Sequence, residues 1–325
     1  MSAFKLSNRP FGNTGLFISP LCVGGAPFGD MPDTFTYSVS VDQALATIRA
    51  AFTSSINFLD TAASYGEGES ERRIGMVIKE SGGLPSGFVL ATKADRNLQT
   101  GDFSGEQIKR SVEESLRHLG LERLQYVYIH DPEHTTFDHI MGPGGALEVL
   151  KNFKDQGIID HIGISGGPVD MLIRYVETGE FSAVETHNRY TLINRSAEPL
   201  LDVASRLGVA VVNAAPYGGG MLVKGPDTSV RYAYTDAPLP LIERARKLAA
   251  VCQEYGVPLA AAALQFSMRD PRIVSTVVGV SKPERIAQTL ELASFPIPTE
   301  IWPALEAIGY DMDDPEANRF TTSLK

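Results

Sequence analysis

The 325-residue chain predicts an α/β fold, a (β/α)8 TIM barrel opened by an N-terminal β-hairpin and spanning residues 1–325 as one domain. Three observations predict it. Short, nearly all-apolar runs alternate with amphipathic segments, the pattern of a parallel sheet covered on both faces. There are about eight such units, and no shift in composition marks a second domain. An open doubly wound sheet fits the alternation too, but the count favours the closed barrel.

The elements follow in order. Residues 4–11 and 16–19 flank Gly12-Asn13-Thr14-Gly15 and read as a small hairpin. Leu21-Cys22-Val23-Gly24 reads as the first barrel strand, followed by a helix over residues 41–54 with Val41, Leu45, Ile48, Ala51 and Phe52 at helical spacing. Phe58-Leu59-Asp60 forms the second strand, and Ser70 is the expected cap of a helix running to Ile78. The third strand covers residues 88–93. Its helix opens at Ser104-Gly105-Glu106-Gln107, a capping-box pattern, and stops at Gly120. Strands follow at residues 124–130, 161–165, 183–187, 209–213 and 273–279, with helices at 146–155, 170–177 and 198–207 and one opening at Pro283. Residues 217–240, rich in Gly, Pro, Asp and Thr, form the longest irregular stretch, and loops of that length are usually functional. The acidic run at residues 311–315 reads as an exposed tail.

Charge and cysteine usage exclude some functions. A formal net charge of -10 disfavours a nucleic-acid or anionic-membrane surface. Cys22 and Cys252 both lie in apolar segments, which fits two buried thiols in a reducing compartment rather than a disulfide. The N-terminus lacks an apolar core of signal-peptide length, and no apolar run approaches the length of a membrane span, so a cytoplasmic location is expected. His130 and His134 have the spacing of a metal pair, but that motif needs a helix and Pro132 opposes one; no metal is expected.

In a barrel of this kind the chemistry sits at the C-terminal ends of the strands. Strand two ends at Asp60, strand three at Lys93, strand four at His130 and Asp131, and Tyr65 follows strand two. Singly, each has an ordinary structural role. Together they compose a proton relay for a carbonyl or alcohol oxygen. A nearby ammonium lowers the pKa of a phenol, an Asp fixes that ammonium, and a neutral His donates to the substrate oxygen. No side chain supplies a hydride, so the relay implies a cofactor.

These residues carry a resemblance. Asn57-Phe58-Leu59-Asp60-Thr61-Ala62 with Tyr65-Gly66, Ala91-Thr92-Lys93, Tyr128-Ile129-His130-Asp131, Gly163-Ile164-Ser165 and Val278-Gly279 before Pro283-Glu284-Arg285-Ile286-Ala287 resemble the aldo-keto reductases over nearly the whole length. The resemblance implies a barrel that binds an extended nicotinamide nucleotide, with a catalytic tetrad at Asp60, Tyr65, Lys93 and His130. Within the family, His130-Asp131-Pro132-Glu133, Asn188-Arg189-Tyr190-Thr191-Leu192 and Gly163-Ile164-Ser165-Gly166-Gly167-Pro168 look like the branch of aldose 1-dehydrogenases, which includes L-fucose (D-threo-aldose) and L-galactose dehydrogenases.

The resemblance also implies a cofactor site, with departures. The pair that holds the carboxamide falls at Ser165 and Gly166, and the family's usual Gln at Glu185. The tyrosine that often stacks under the nicotinamide is Ala214 here, with Tyr217 nearby. Gly25, Ala26 and Asp60 fall near the cofactor, and Gly218, Gly220 and Met221 on the loop facing the pyrophosphate. Ser281, Arg285, Gln288 and Thr289 fall at the adenosine end. Gly279 stands where many NADPH-dependent members carry a Lys, which points to NAD, with NADP open through Arg285 and Lys282. The expected partner is a small carbonyl compound or sugar, contacted by Phe28, Tyr65, His130 and Asp131. Phe35, Tyr37 and Tyr234 are further candidates for a ring platform. Three other readings stay open: an NADPH-dependent reductase of small aldehydes or ketones, a nucleotide-sensing subunit without turnover, and a metal hydrolase using Asp60 and His130. The sequence does not reveal the oligomeric state.

Overall fold

The computed structural model describes residues 6–317. Eight parallel strands close into a barrel: β1 (Leu21–Gly24), β2 (Phe58–Asp60), β3 (Val89–Ala94), β4 (Leu124–His130), β5 (Ile159–Gly166), β6 (Ala183–His187), β7 (Ala210–Ala214) and β8 (Ile273–Gly279). Each pairs with the next in sequence, and β8 closes the ring against β1. The strands are apolar on both faces because both are buried, one against the helices and one inside the barrel.

The longer helices are α1 (Val41–Phe52), α2 (Glu69–Glu80), α3 (Gly105–Leu119), α4 (Ala146–Asp155), α5 (Val169–Val176), α6 (Glu198–Leu207), α7 (Leu239–Glu254), α8 (Leu259–Arg269), α9 (Glu284–Ser294) and α10 (Ile301–Glu306). The alternation alone left α7 and α8 unassigned. α8 is alanine-rich and buries most of its residues, so it has no narrow apolar stripe to betray it.

The expected hairpin forms between Arg9–Pro10 and Phe17–Ile18, while residues 4 and 5 of the expected strand lie outside the described part. It plugs the bottom of the barrel. Phe11 is fully buried, its ring 5.4 Å from Phe58 and 4.7 Å from Tyr126. Tyr126 and Tyr128 point inward from β4 and fill the next layer. That layer requires Gly163 on β5, since a Cβ there would come within 2.5 Å of the Tyr128 ring and 2.7 Å of Tyr126. The barrel interior is therefore solid below and open only above the tyrosines.

Three local expectations need correction. Ser70 lies inside α2, behind Gly68; its hydroxyl is buried, donates to the Gly25 carbonyl and meets the Thr61 hydroxyl at 2.8 Å. Ser104 does cap α3 by accepting from the Gln107 N–H, but the Gln107 side chain donates to the Asp95 carbonyl instead of reaching back. The acidic C-terminal run is no free tail. Asp311 pairs with Arg244 at 2.6 Å, and Asp314 with the fully buried Arg189 at 2.7 Å. The following Glu316 is buried and accepts from Arg189 at 2.9 Å. Asp311, Asp314 and Glu316 each pair with an arginine distant in sequence, which draws the segment down onto the mouth.

Candidate active site

The open end of the barrel holds a cavity of about 330 Å³, lined from β1, β2, β4, β5, β6, β7 and β8 and the loops that follow them. Side chains alternate along a strand, so the last inward positions decide what faces it. Those positions are Asp60, Lys93, His130, Ser165, Glu185 and His187.

Lys93 is fully buried at the centre of this set. Its ammonium donates to Asp60, to the Thr61 carbonyl at 3.1 Å and to the Tyr65 hydroxyl at 3.3 Å. It also lies 3.4 Å from Glu185 Oε1. Burial alone would push the ammonium towards neutrality, but Asp60 and then Glu185 outweigh it and hold the group well above the ordinary lysine value. The Asp60 carboxyl is pushed up to about 7, first by burial and then by the Glu185 charge, against the pull of Lys93. Asp60, Tyr65, Lys93 and His130, expected as one set, are brought together.

Two expectations about their protonation are overturned. Lys93 does pull the Tyr65 phenol down, but burial raises it more, and Asp60 and Glu185 raise it further, so the phenol stays well above 10. His130 was expected neutral. Burial favours that state, but Asp131 and Asp95 carry the imidazole up to about 9. Its Nδ1 lies 2.7 Å from Asp95 Oδ1, and its Nε2 3.5 Å from Asp131 Oδ1. The ring stands edge-on to Tyr65, with centroids 5.7 Å apart. Asp95 Oδ2 also accepts from the Ser64 N–H at 2.8 Å, so one carboxylate ties His130 to the backbone beside Tyr65. Asp95 was missed in the sequence. Its signal was there: it stands two residues beyond Lys93, just past the end of β3, where the strand's alternation repeats.

The other predicted residues divide. Gly25, Ala26, Asp131, Ser165, Glu185 and Gly279 line the cavity, as do Ala214, Phe35 and Tyr234. Phe28 does not: it is fully buried in the core, its carbonyl accepting from Arg73, while Pro27 and Met31 line the cavity in its stead. Gly166 packs behind the wall, where a Cβ would come 2.7 Å from Glu133 Oε2. Tyr217 packs against the core, and Gly218–Gly220 form a tight turn leading into a short helix at Met221–Lys224. Arg285 and Gln288 are exposed on α9, and the Thr289 hydroxyl turns back to the Arg285 carbonyl. Tyr37 lies at this end too, bonded to Ser281 and near Arg285, rather than under the substrate.

The donor set fits a nicotinamide. Glu185 Oε2 is buried without a hydrogen-bond partner, and the Ser165 hydroxyl lies 3.4 Å from Oε1. A carboxylate acceptor beside a hydroxyl donor matches the N–H and carbonyl of a primary carboxamide. Among the described residues no group of three or more His, Cys, Asp or Glu side chains could hold a metal ion, and Pro132–His134 is a single 3₁₀ turn. No described helix is long and apolar enough to cross a membrane.

A buried Asp–Lys–Tyr chain and a carboxylate-held histidine at the mouth of a (β/α)8 barrel define a protein built to move a proton at a substrate oxygen. Residues 20–309 match the Aldo/keto reductase family, and the chain belongs to it, as an oxidoreductase of a family that uses nicotinamide cofactors. It is similar to a D-threo-aldose 1-dehydrogenase of a Pseudomonas species, 31% identical over 90% of this chain and 94% of the relative. It is also similar to an L-galactose dehydrogenase of Arabidopsis thaliana, 31% identical over 94% of each chain. A pyridoxal 4-dehydrogenase of Microbacterium luteolum is 28% identical over 93% of this chain and 97% of its own. The fold matches an aldo-keto reductase from Bacillus halodurans in its holo form with a TM-score of 0.75, at 22% identity over 97% of this chain and 99% of that one.

Proposed function

We propose that the protein is a nicotinamide-dependent dehydrogenase that oxidises an aldose at C1 to the lactone, and reduces a carbonyl group in reverse. The observation that carries the reading is the Asp60–Lys93–Tyr65 chain with the His130 ring edge-on to the same tyrosine. The nicotinamide, when bound, exchanges hydride with the substrate carbon. In reduction Tyr65 gives its phenolic proton to the carbonyl oxygen as hydride reaches the carbon, and His130, charged and held by Asp95, donates a hydrogen bond to that oxygen. In oxidation the Tyr65 phenolate takes the hydroxyl proton, and Lys93 stabilises the negative oxygen.

The cavity wall supports a hydroxylated substrate. Asp131, Glu133, His134, His187 and Arg96 line it together with Phe35, Leu98 and Tyr234. Many hydrogen-bonding groups in company with a few aromatic and apolar ones suit a sugar ring, and relatives named for aldose and galactose oxidation point the same way. We favour NAD as the cofactor: Gly279 offers no cation, and Arg285 is exposed. A screen of aldoses, pyridoxal and aromatic aldehydes with NAD and NADP, in both directions, tests the reading; no turnover with any of them would sink it. Tyr65→Phe should abolish turnover while cofactor binding persists, and full activity in that variant would refute its role.

A further inference from the structure

Glu185 carries a charge that carboxamide recognition does not require. It faces inward from β6, paired in register with Ser165 of β5, and is 5% exposed. Lys93 is its sole ion-pair partner among the described residues, at 3.4 Å, and Asp60 already holds that ammonium more closely. Two buried carboxylates therefore share one ammonium. Each keeps one oxygen, Asp60 Oδ1 and Glu185 Oε2, buried without a hydrogen-bond partner. An ionised trio of this kind leaves one negative charge uncompensated at the floor of a cavity, where low dielectric makes it felt. Buried charge of that kind is retained where something of opposite sign meets it.

Of the groups the proposed reaction brings to this floor, one changes its charge. An oxidised nicotinamide ring is a cation, and the reduced ring is neutral. Hydride transfer requires that ring to touch the carbon whose oxygen meets Tyr65. The Tyr65 hydroxyl is 3.3 Å from Lys93 Nζ, which is 3.4 Å from Glu185, so the carboxylate and the ring share the same small chamber. A glutamine at this position would offer the same acceptor without the charge.

We propose that Glu185 selects the oxidation state of the cofactor, favouring the oxidised dinucleotide over the reduced one. The inference rests on the functional reading above. Its consequence is in loading and release: the enzyme takes up the oxidised form in competition with the reduced form and lets the reduced product go. The same preference lowers the potential of the bound couple by about 30 mV for each tenfold in affinity ratio, so the gain lies in turnover and not in the hydride step itself.

The test is calorimetric titration of the purified protein with NAD, NADH, NADP and NADPH at about pH 8, above the Asp60 value, for wild type, Glu185→Gln, Glu185→Asp and Ser165→Ala. Wild type should bind the oxidised form at least as tightly as the reduced form. Glu185→Gln should shift the ratio of the two dissociation constants by about tenfold or more towards the reduced form, the scale of one unit charge at this range. Glu185→Asp should keep the wild-type preference, and Ser165→Ala should move both affinities together. Equal changes for both forms in Glu185→Gln would overturn the inference and leave a carboxamide contact only. A wild-type preference of tenfold or more for the reduced form would overturn it without any variant, should Glu185→Gln fail to fold. If no dinucleotide binds wild type, the functional reading itself fails.

Discussion

Replacing Asp95 by Asn should lower the pKa of His130 and move the pH dependence of catalysis with it. The Asp95 carboxylate sits 2.7 Å from His130 Nδ1, and both groups are buried. Two unit charges about 4 Å apart at an effective dielectric of about 20 interact by about 4 kcal/mol, the equivalent of about three pKa units. Asn keeps a hydrogen-bond acceptor for Nδ1, which preserves part of this, so the expected fall is about two units. His130 would then titrate near 7 instead of about 9. Nuclear magnetic resonance of the imidazole protons in cofactor-free protein reads the value directly, with His130→Gln assigning the signal among six histidines. The alkaline limb of kcat/KM for reduction should shift by the same amount. A His130 midpoint within about 0.3 units of wild type would refute the electrostatic role and leave Asp95 as a mere brace for Ser64, worth about 1 kcal/mol. Stability carries the same signature. The folded pKa of about 9 lies above the ordinary histidine value of about 6.5, so His130 contributes stability that is fully present below about pH 6.5 and lost as pH rises through about 9. At about 1.4 kcal/mol per unit it is on the order of 3 kcal/mol, and the variant should lose most of it.

Other perturbations test other parts of the molecule. Oxidation needs Tyr65 as phenolate, whose pKa is held above 10, so oxidation rates should climb through the alkaline range while reduction stays flat and then falls near the His130 value; an oxidation profile that levels off near neutrality would contradict this. Phe11→Ala empties the plug beneath Tyr126 and should cost about 3–5 kcal/mol in urea denaturation, with a loss under about 1 kcal/mol refuting the plug. Glu316→Ala leaves the Arg189 guanidinium buried with Asp314 as its remaining carboxylate, beside the His187 carbonyl, and should destabilise by about 3 kcal/mol, read as a lower Tm; an unchanged Tm in a chain ending before Asp311 would show that the segment contributes nothing.

What was legible in the sequence follows from what is local. The strand ends at Asp60, Lys93 and His130 could be read because a parallel strand is a short apolar run with a sharp polar stop. Gly120 and Gly208 could be read as helix stops because a left-handed residue is a local demand, and both sit at φ near +70°. Phe28 was not legible, since an aromatic in a loop has no period to say whether it faces a cavity or the core. The C-terminal segment read as a tail because its acidic residues are a solvated run in isolation. Its partners Arg189 and Arg244 lie far back in the chain, and sequence proximity says nothing of such pairs. The protonation of Tyr65 was misread for a related reason: one lysine lowers a phenol's pKa, but the outcome depends on burial and on how many carboxylates share that lysine.

That sharing makes the site a balance around one phenol. On one side stands Lys93 with Asp60 and Glu185, on the other His130 with Asp95 and Asp131. Each cation has two acidic groups beside it; burial first, and then Asp60 and Glu185, outweigh the pull of Lys93 on the Tyr65 proton, and the free protein keeps a neutral phenol. A phenol in this state is prepared to give a proton, as reduction asks. To take one it needs extra positive charge, and the balance leaves it sensitive to any cation that enters the chamber. Replacing Glu185 by Gln removes one acidic member from the Lys93 side and should lower the Tyr65 pKa even without a cofactor. Spectroscopic titration of phenolate absorbance, with Tyr65→Phe as the reference, measures this shift. A Tyr65 value unmoved by Glu185→Gln would mean that burial alone keeps the phenol neutral.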